Sequence, residues 1–148
     1  MKKLVIGSLL VLLALATAIH YSTTQHKTTH IIISGTILTV ELAETPSAQE
    51  KGLSDRPSLP EDQGMLFVFD RQDYWGFWMV DMRFPLDIIW FDINRQVVFI
   101  EPNLSPCTPQ NCPVFTPNAK ALYVLEVNAG FVEVHQVTHG TSFAFLGL

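Results

Sequence analysis

The 148-residue sequence has few basic side chains. Beyond residue 30 it carries six Lys and Arg against 14 Asp and Glu, so this part has a net charge of −8. Nucleic-acid binding depends on Lys and Arg that neutralise phosphates, and no basic stripe is present. We therefore exclude nucleic acid as a partner. Anionic lipid head groups are excluded as a binding surface for the folded part, because they would repel an acidic domain.

The sequence also lacks internal repeats and the common catalytic signatures. Its Gly and Pro residues follow no period, which excludes a collagen-like chain. No Gly-x-Ser-x-Gly elbow, His-Glu-x-x-His motif, P-loop or dinucleotide fingerprint occurs. His135 and His139 are the only histidines after residue 30, and Gly140 argues against a helix that would align them. We predict no cofactor and no metal site. Whether the protein is an enzyme stays open, with a non-enzymatic role favoured.

Residues 1–19 have the three parts of a secretory signal. Lys2 and Lys3 precede an apolar run, and the small-x-small triplet at 16–18 is of the kind that signal peptidase accepts. In the alternative, residues 4–19 stay in the bilayer as an anchor, although a usual span needs about 20 apolar residues. Residues 20–30 are polar and Thr-rich, which predicts a tether. We expect an exported protein, periplasmic or extracellular, that contacts the membrane only through its N-terminal segment.

Cysteine is scarce, and the two cysteines lie close together in a Pro-rich loop. Cys107 and Cys112 are separated by four residues. Outside the cytoplasm such a pair is most simply a disulfide. A zinc site would need two more ligands, and a redox-active pair usually has two intervening residues. We predict a structural disulfide, and free thiols or a redox or metal role remain the alternatives.

Residues 31–148 are predicted to form a single mainly β domain. A helix of two turns should begin after Thr45, with Pro46 as its first residue, and end at Gly52. The remaining pattern consists of short apolar or alternating runs separated by turns. This favours a small antiparallel β-barrel or clip-like fold with one or two short helices. The predicted strands are residues 37–42, 65–69, 77–80, 86–91, 97–101, 122–127 and 143–145. Residues 92–95 are the predicted turn of a hairpin, and the strand at 86–91, apolar on both faces, should be covered on both sides.

Two carboxylates interrupt otherwise apolar strand faces. Asp87 and Glu126 each share a face with apolar side chains, which costs free energy unless the acid is paired. Two such acids could catalyse glycoside hydrolysis, with Asp81 as a reserve. In the alternative, each is bonded to Arg56 or Arg83 and holds a loop to the sheet. The sequence leaves open ion pairs, a ligand site and catalysis.

Aromatic residues are concentrated in one part of the chain. Nine of them lie between Phe67 and Phe91, including all three Trp. Sugar-binding clefts use exposed Trp and Tyr platforms with a polar group at the edge. Tyr74 and Trp75 fall in a predicted loop and could form such a platform, whereas Trp90 is expected in the core. Core filling is the alternative for the cluster as a whole.

Four ordered blocks give the sequence a family resemblance. They are EKGLSDR at 50–56, GMLFVF at 64–69, FWMVDMRFPLDIIW at 77–90 and VLEVNAG at 124–130. Together they resemble the exported bacterial and archaeal family called domain of unknown function 192, with a likeness from about residue 37 to residue 145. The resemblance implies a small β-rich domain, often behind a signal or lipoprotein leader. It implies no activity.

The favoured interpretation is an exported accessory or ligand-binding module. Its partner would be a small molecule, a glycan or an envelope protein. The alternatives are a carboxylate-dependent hydrolase that uses Asp87 and Glu126 on glycans, and a purely structural envelope protein. The predicted ligand-binding residues are Arg56, Trp78, Met79, Asp81, Asp87 and Glu126.

Overall fold

A computed structural model of the chain describes residues 27–147. Within this range the chain forms seven strands and two short helices. The strands are β1 (Thr28–Ile33), β2 (Thr36–Ala43), β3 (Gln63–Asp73), β4 (Leu86–Phe91), β5 (Val97–Leu104), β6 (Ala121–Asn128) and β7 (Phe143–Leu146). The helices are α1 (Pro46–Lys51) and α2 (Phe131–Val134).

All seven strands belong to one sheet in the order β5-β4-β6-β3-β2-β1-β7. The mainly β prediction is confirmed, with two corrections. Strands β2 and β3 pair in parallel, whereas the other neighbours are antiparallel. The sheet is not closed into a barrel, because its edge strands β5 and β7 meet only where they begin, around the Gln96–Ser142 bridge. Barrel closure would require β5 and β7 to pair along their length.

Several local predictions are confirmed. Strand β4 has the predicted bounds, and all six of its residues are buried. The turn after it is held by Asp92, whose carboxylate accepts hydrogen bonds from the backbone N–H groups of Asn94 and Gln96 at 2.8 and 2.9 Å. In α1, the Thr45 side chain accepts a hydrogen bond from the N–H of Ala48, as an N-cap residue does.

The strand predicted at residues 77–80 is wrong. This segment makes only two isolated bridges, one between Phe77 and Phe115 and one between Val80 and Cys107. Its partner is the Pro-rich loop, and proline has no N–H to donate to a continuous ladder. The segment is therefore part of the connection between β3 and β4, and its side chains contribute to the core and to a pocket.

The tether was predicted to reach His30, but Thr28, Thr29 and His30 belong to β1. This strand lies between β2 and β7 and pairs with both. Its three polar residues precede Ile31 and Ile33, which are buried and keep the strand in the sheet. The predicted signal or anchor and residues 20–26 of the tether lie outside the described residues. Between residues 27 and 147, no helix has the length and apolar character needed to cross a membrane.

The two faces of the sheet carry separate apolar clusters. Residues of the inner cluster come from all seven strands, so the sheet curls around it, and α2 adds Phe131. The outer cluster lies on the other face, where α1 and the connections that follow β3 and β5 cover it. The largest buried outer residues include Phe67, Met79 and Trp90, and the largest buried inner residues include Ile31, Ile89 and Phe91.

Cys107 and Cys112 lie at disulfide distance, with their Cα atoms 5.2 Å apart. That Cα separation falls within the usual range for a bridge. We expect reduction to lower the free energy of unfolding by about 2 kcal/mol, because closing so short a loop restricts the unfolded chain only modestly. Urea unfolding with and without a reductant measures this loss. The Cys107→Ser/Cys112→Ser variant should match the reduced protein, and equal midpoints for the oxidised and reduced protein would contradict the prediction.

Candidate functional site

A pocket of about 190 Å³ lies on the outer-cluster face, beside the end of α1. Strand β3 contributes two of its aromatic side chains, and the connection that follows β3 contributes three more. We call it the aromatic pocket. Its aromatic lining consists of Phe67, Phe69, Trp75, Phe77 and Trp78, and Glu126 also lines it.

Glu126 is the buried charged group of this pocket. In β6 it lies opposite Met65 on one neighbouring strand and Ile88 on the other, so its side chain is placed among apolar residues. Glu126 is 5% exposed, and its Oε2 atom has no hydrogen-bond partner. Burial raises the pKa of Glu126 from its ordinary 4.5 to about 8, and the positive charge of Arg56 lowers it only in part. The carboxyl is therefore mostly protonated at neutral pH.

The turn after α1 lies over the Glu126 carboxyl. Gly52 ends the helix with a φ of +50°, a conformation that favours glycine. A Cβ atom at this position would lie 3.5 Å from Cζ of Phe67 and 3.7 Å from Oε2 of Glu126. These are ordinary contact distances, so the positive φ, and not a lack of space, is the reason for glycine at this turn.

Arg56 does not form the expected hydrogen-bonded pair with Glu126. Its guanidinium makes a two-pronged ion pair with Glu41 of β2, between Nη1 and Oε1 and between Nη2 and Oε2, the second at 2.7 Å. Hydrogen bonding to Glu41 raises the pKa of Arg56. Arg83 is also no partner for a buried acid, because it is largely exposed and lies 4.0 Å from Asp55. Arg56 therefore influences Glu126 by its charge alone.

Trp75 contributes a second buried polar atom without a partner. Its ring stacks on Phe69 at a centroid distance of 4.0 Å, and the Arg71 guanidinium lies 5.4 Å from its centroid. Its backbone carbonyl accepts a hydrogen bond from Nε1 of Trp90 at 2.8 Å, which fixes the loop. The Nε1 of Trp75 itself is buried and has no partner. Trp78 differs, since 48% of it is exposed at the pocket.

Asp87 lies on the opposite face of the sheet from Glu126. In the β4–β6 pairing Asp87 is opposite Val127, whereas Glu126 is opposite Ile88. Successive side chains of a strand point to opposite faces, so the two carboxyls are separated by the sheet. The fully buried Asp87 accepts hydrogen bonds from three backbone N–H groups, those of Asn103, Gly130 and Val132. The structure therefore does not bring together the two acids that glycoside hydrolysis would require.

Of the six predicted ligand-binding residues, Trp78 and Glu126 line the aromatic pocket. Met79 is fully buried in the outer cluster. Asp81 is exposed, and its backbone carbonyl accepts a hydrogen bond from the N–H of Asp55 at 3.0 Å. Arg56 borders a neighbouring depression instead. Phe67, Phe69 and Phe77 also line the pocket and were not among the predicted site residues. The density of aromatic residues between Phe67 and Phe91 is the sequence signal that could have identified them.

No metal centre is evident in residues 27–147. This part of the chain holds no group of three or more His, Cys, Asp or Glu side chains placed to bind a metal ion. His135 instead shares a hydrogen bond with Thr36, at 2.9 Å between its Nδ1 and the threonine hydroxyl.

The fold and the pocket define a mainly β domain with an aromatic pocket that is also lined by Glu126, a buried acid with one unpartnered carboxyl oxygen. Residues 29–145 match the family DUF192, described as Uncharacterized ACR, and the chain belongs to this family. A solved structure from Sinorhizobium meliloti, described as that of a candidate transcription regulator, is 30% identical with a TM-score of 0.78, over 86% of this chain and 100% of that one.

A second solved structure, from Novosphingobium aromaticivorans and described as a protein of unknown function, is also similar to this chain. It is 28% identical with a TM-score of 0.76, over 84% of this chain and 89% of that one. No curated protein matches the sequence. The fold is therefore shared with these two solved proteins, and the comparisons assign no activity to it.

Proposed function

We propose that this protein is a ligand-binding module rather than an enzyme, and that the aromatic pocket is its binding site. The observation that carries the proposal is the Glu126 carboxyl, which is buried and leaves one oxygen unpartnered at the edge of a pocket. A buried polar group without a partner costs free energy, and native proteins keep few of them. A ligand that filled the pocket would supply the missing hydrogen bond.

The lining supports binding over catalysis. Small-molecule sites are concave and mostly apolar, with a few polar groups that fix the orientation of the ligand. Five aromatic residues and a buried carboxyl fit that description. A carboxylate-dependent hydrolase needs a second acid, and Asp87 is engaged by backbone N–H groups on the other face of the sheet.

The proposed setting is the cell envelope. The charged start, apolar middle and small-residue exit of residues 1–19 support export. The close approach of Cys107 and Cys112 is consistent with an oxidising compartment. The partner would accordingly be a small molecule or a small chemical group of an envelope component, since the pocket is too small for more than that.

A thermal-shift screen tests the binding function. Purified protein is heated with a library of small metabolites, envelope sugars and short peptides. A ligand at 100 times its dissociation constant should stabilise the protein by about 2.7 kcal/mol. The Trp78→Ala variant should lose this stabilisation, because it removes the exposed wall of the pocket. Tyr74→Ala is the matched control, since Tyr74 is 51% exposed and does not line the pocket.

The outcomes separate the candidate functions. A ligand whose stabilising effect survives in Tyr74→Ala and disappears in Trp78→Ala supports the proposed site. Equal loss in the two variants would place the ligand elsewhere. No stabilisation by any compound of a broad library would contradict the proposal and favour a purely structural envelope protein.

A further inference from the structure

We propose that the ligand of the aromatic pocket is a small organic cation, an amine or a quaternary ammonium group, that carries a hydrogen-bond acceptor next to its charge. This inference rests on the proposed function. It follows from three features of the pocket, which are the carboxyl at its edge, the rings that surround it and the lack of a cation paired with that carboxyl.

The first feature is the carboxyl itself. Glu126 is 5% exposed, and its Oε2 has no hydrogen-bond partner. Arg56, whose charge acts on Glu126, already directs both of its terminal nitrogens to Glu41. A ligand ammonium group would therefore meet a carboxyl group whose Oε2 is not hydrogen-bonded to any side-chain cation.

The second feature is the ring arrangement. An aromatic ring attracts a cation placed over its face within about 6 Å of the centroid, and several rings around one site bind quaternary ammonium groups well. Phe67 and Phe77 pack edge to face at 4.8 Å between centroids, and Trp78 forms the exposed wall. These three rings line the same pocket as the carboxyl. Negative ring faces together with a carboxylate favour a positive guest over a neutral one.

The third feature distinguishes the ligand from a sugar. A sugar offers many hydroxyl groups and needs a comparable number of polar partners. In the described part of the chain, the buried side-chain atoms without a partner are Oε2 of Glu126 and Nε1 of Trp75, and both residues line this pocket. The carboxyl oxygen of Glu126 suits a cationic nitrogen of the ligand, and the N–H group of Trp75 suits an acceptor oxygen. A hydroxyl or carboxylate a few bonds from the ammonium group would satisfy Trp75.

The protonation of Glu126 adds a measurable consequence. A cation must ionise Glu126 on binding, so its affinity should rise about tenfold per pH unit below the pKa of about 8 and level off above it. Two other charged residues line the pocket, namely Glu50 and Lys51, and Lys51 pairs with Asp55. Arg56 acts on the carboxyl by its charge and is itself paired with Glu41. None of them is a histidine, so the response between pH 6 and pH 8 belongs to Glu126.

Calorimetry with matched probes tests the inference. The cations are ethanolamine, tetramethylammonium and choline, and 3,3-dimethylbutan-1-ol is the neutral isostere of choline. We expect choline to bind with the pH dependence just given, tetramethylammonium to bind more weakly, and the isostere to bind at least tenfold more weakly than choline at pH 8. Glu126→Gln should weaken choline binding at least tenfold, whereas Glu61→Gln, which changes an exposed carboxylate outside the pocket, should leave it unchanged.

The outcomes distinguish this inference from the proposed function. Equal binding of choline and its isostere overturns the cationic ligand and leaves the pocket as a binding site. The cationic ligand is also overturned if none of the three cations binds while a neutral library compound binds to the wild type and not to Trp78→Ala. If Trp78→Ala and Glu126→Gln alter the binding of no compound, the proposed function itself fails. Choline affinity that falls with rising pH also overturns the inference, because that sign belongs to a ligand bound by the protonated acid.

Discussion

Replacing Asp87 by Asn is expected to lower the free energy of unfolding by about 3 kcal/mol, because it breaks a network in which one buried carboxylate accepts three backbone hydrogen bonds. The donors are Asn103 at 2.8 Å, Gly130 at 3.2 Å and Val132 at 2.8 Å. An amide group keeps one acceptor oxygen but turns an N–H₂ group toward backbone donors. At least one N–H group is then left unpartnered in a fully buried place.

The carboxylate also stabilises unusual backbone. Asn103 has a φ of +55° and lies where the β4–β5 register shifts between Leu86 and Ile88. Such a bulge leaves a backbone N–H without a partner in the ladder. Asp87, between the two shifted pairs, accepts the hydrogen bond of that N–H. Its other two bonds hold the start of α2, so one side chain connects the bulge to the helix.

Urea unfolding of the wild type, Asp87→Asn and Asp92→Asn measures the effect. Asp92 is the matched control, because its carboxylate also accepts backbone hydrogen bonds, but in an exposed turn. We expect Asp92→Asn to cost no more than about 1 kcal/mol, since water can satisfy the freed groups. Faster amide exchange at Val132 should accompany the loss in Asp87→Asn. Equal losses in the two variants would contradict the structural role of Asp87.

The local signals in the sequence were sufficient for the elements that depend on neighbouring residues. The cap at Thr45, the end of α1 at Gly52 and the turn at Asp92 follow from short-range hydrogen bonding and backbone conformation, and all three are observed. The same holds for β4, whose continuous apolar run predicts burial on both faces. These features survive in the fold because tertiary contacts reinforce them.

The site depended on register, which the sequence does not display. Asp87 and Glu126 were correctly identified as buried acids, but their faces follow from the pairing of β4 with β6. A shift of one residue in that pairing would place both carboxyls on one face, since side chains alternate with a period of two. Likewise, β1 became recognisable only through its two partner strands, because its first three residues are polar.

Replacing Glu126 by Gln is expected to make the protein more stable at alkaline pH while changing its stability near pH 5 by less than about 1 kcal/mol. The folded protein holds the Glu126 proton up to a pKa of about 8, whereas the unfolded chain releases it near 4.5. Between these values the unfolded state binds fewer protons, so the free energy of unfolding of the wild type falls as pH rises, by up to about 1.4 kcal/mol per unit. Gln cannot ionise, and it resembles the protonated acid in size.

The difference in unfolding free energy between Glu126→Gln and the wild type, measured from pH 5 to pH 9, isolates this effect. It should stay below about 1 kcal/mol at pH 5 and reach about 3 kcal/mol at pH 9, below the full linkage value because water can reach an ionised carboxyl at the pocket. Asp55 and Asp73, whose pKa values are lowered by hydrogen bonds, contribute equally to both proteins and cancel. Glu61→Gln, at an exposed position, should give a flat difference. A flat difference for Glu126→Gln as well would mean that the carboxyl is ionised in the folded protein at neutral pH, and that a partner or solvent already stabilises its charge.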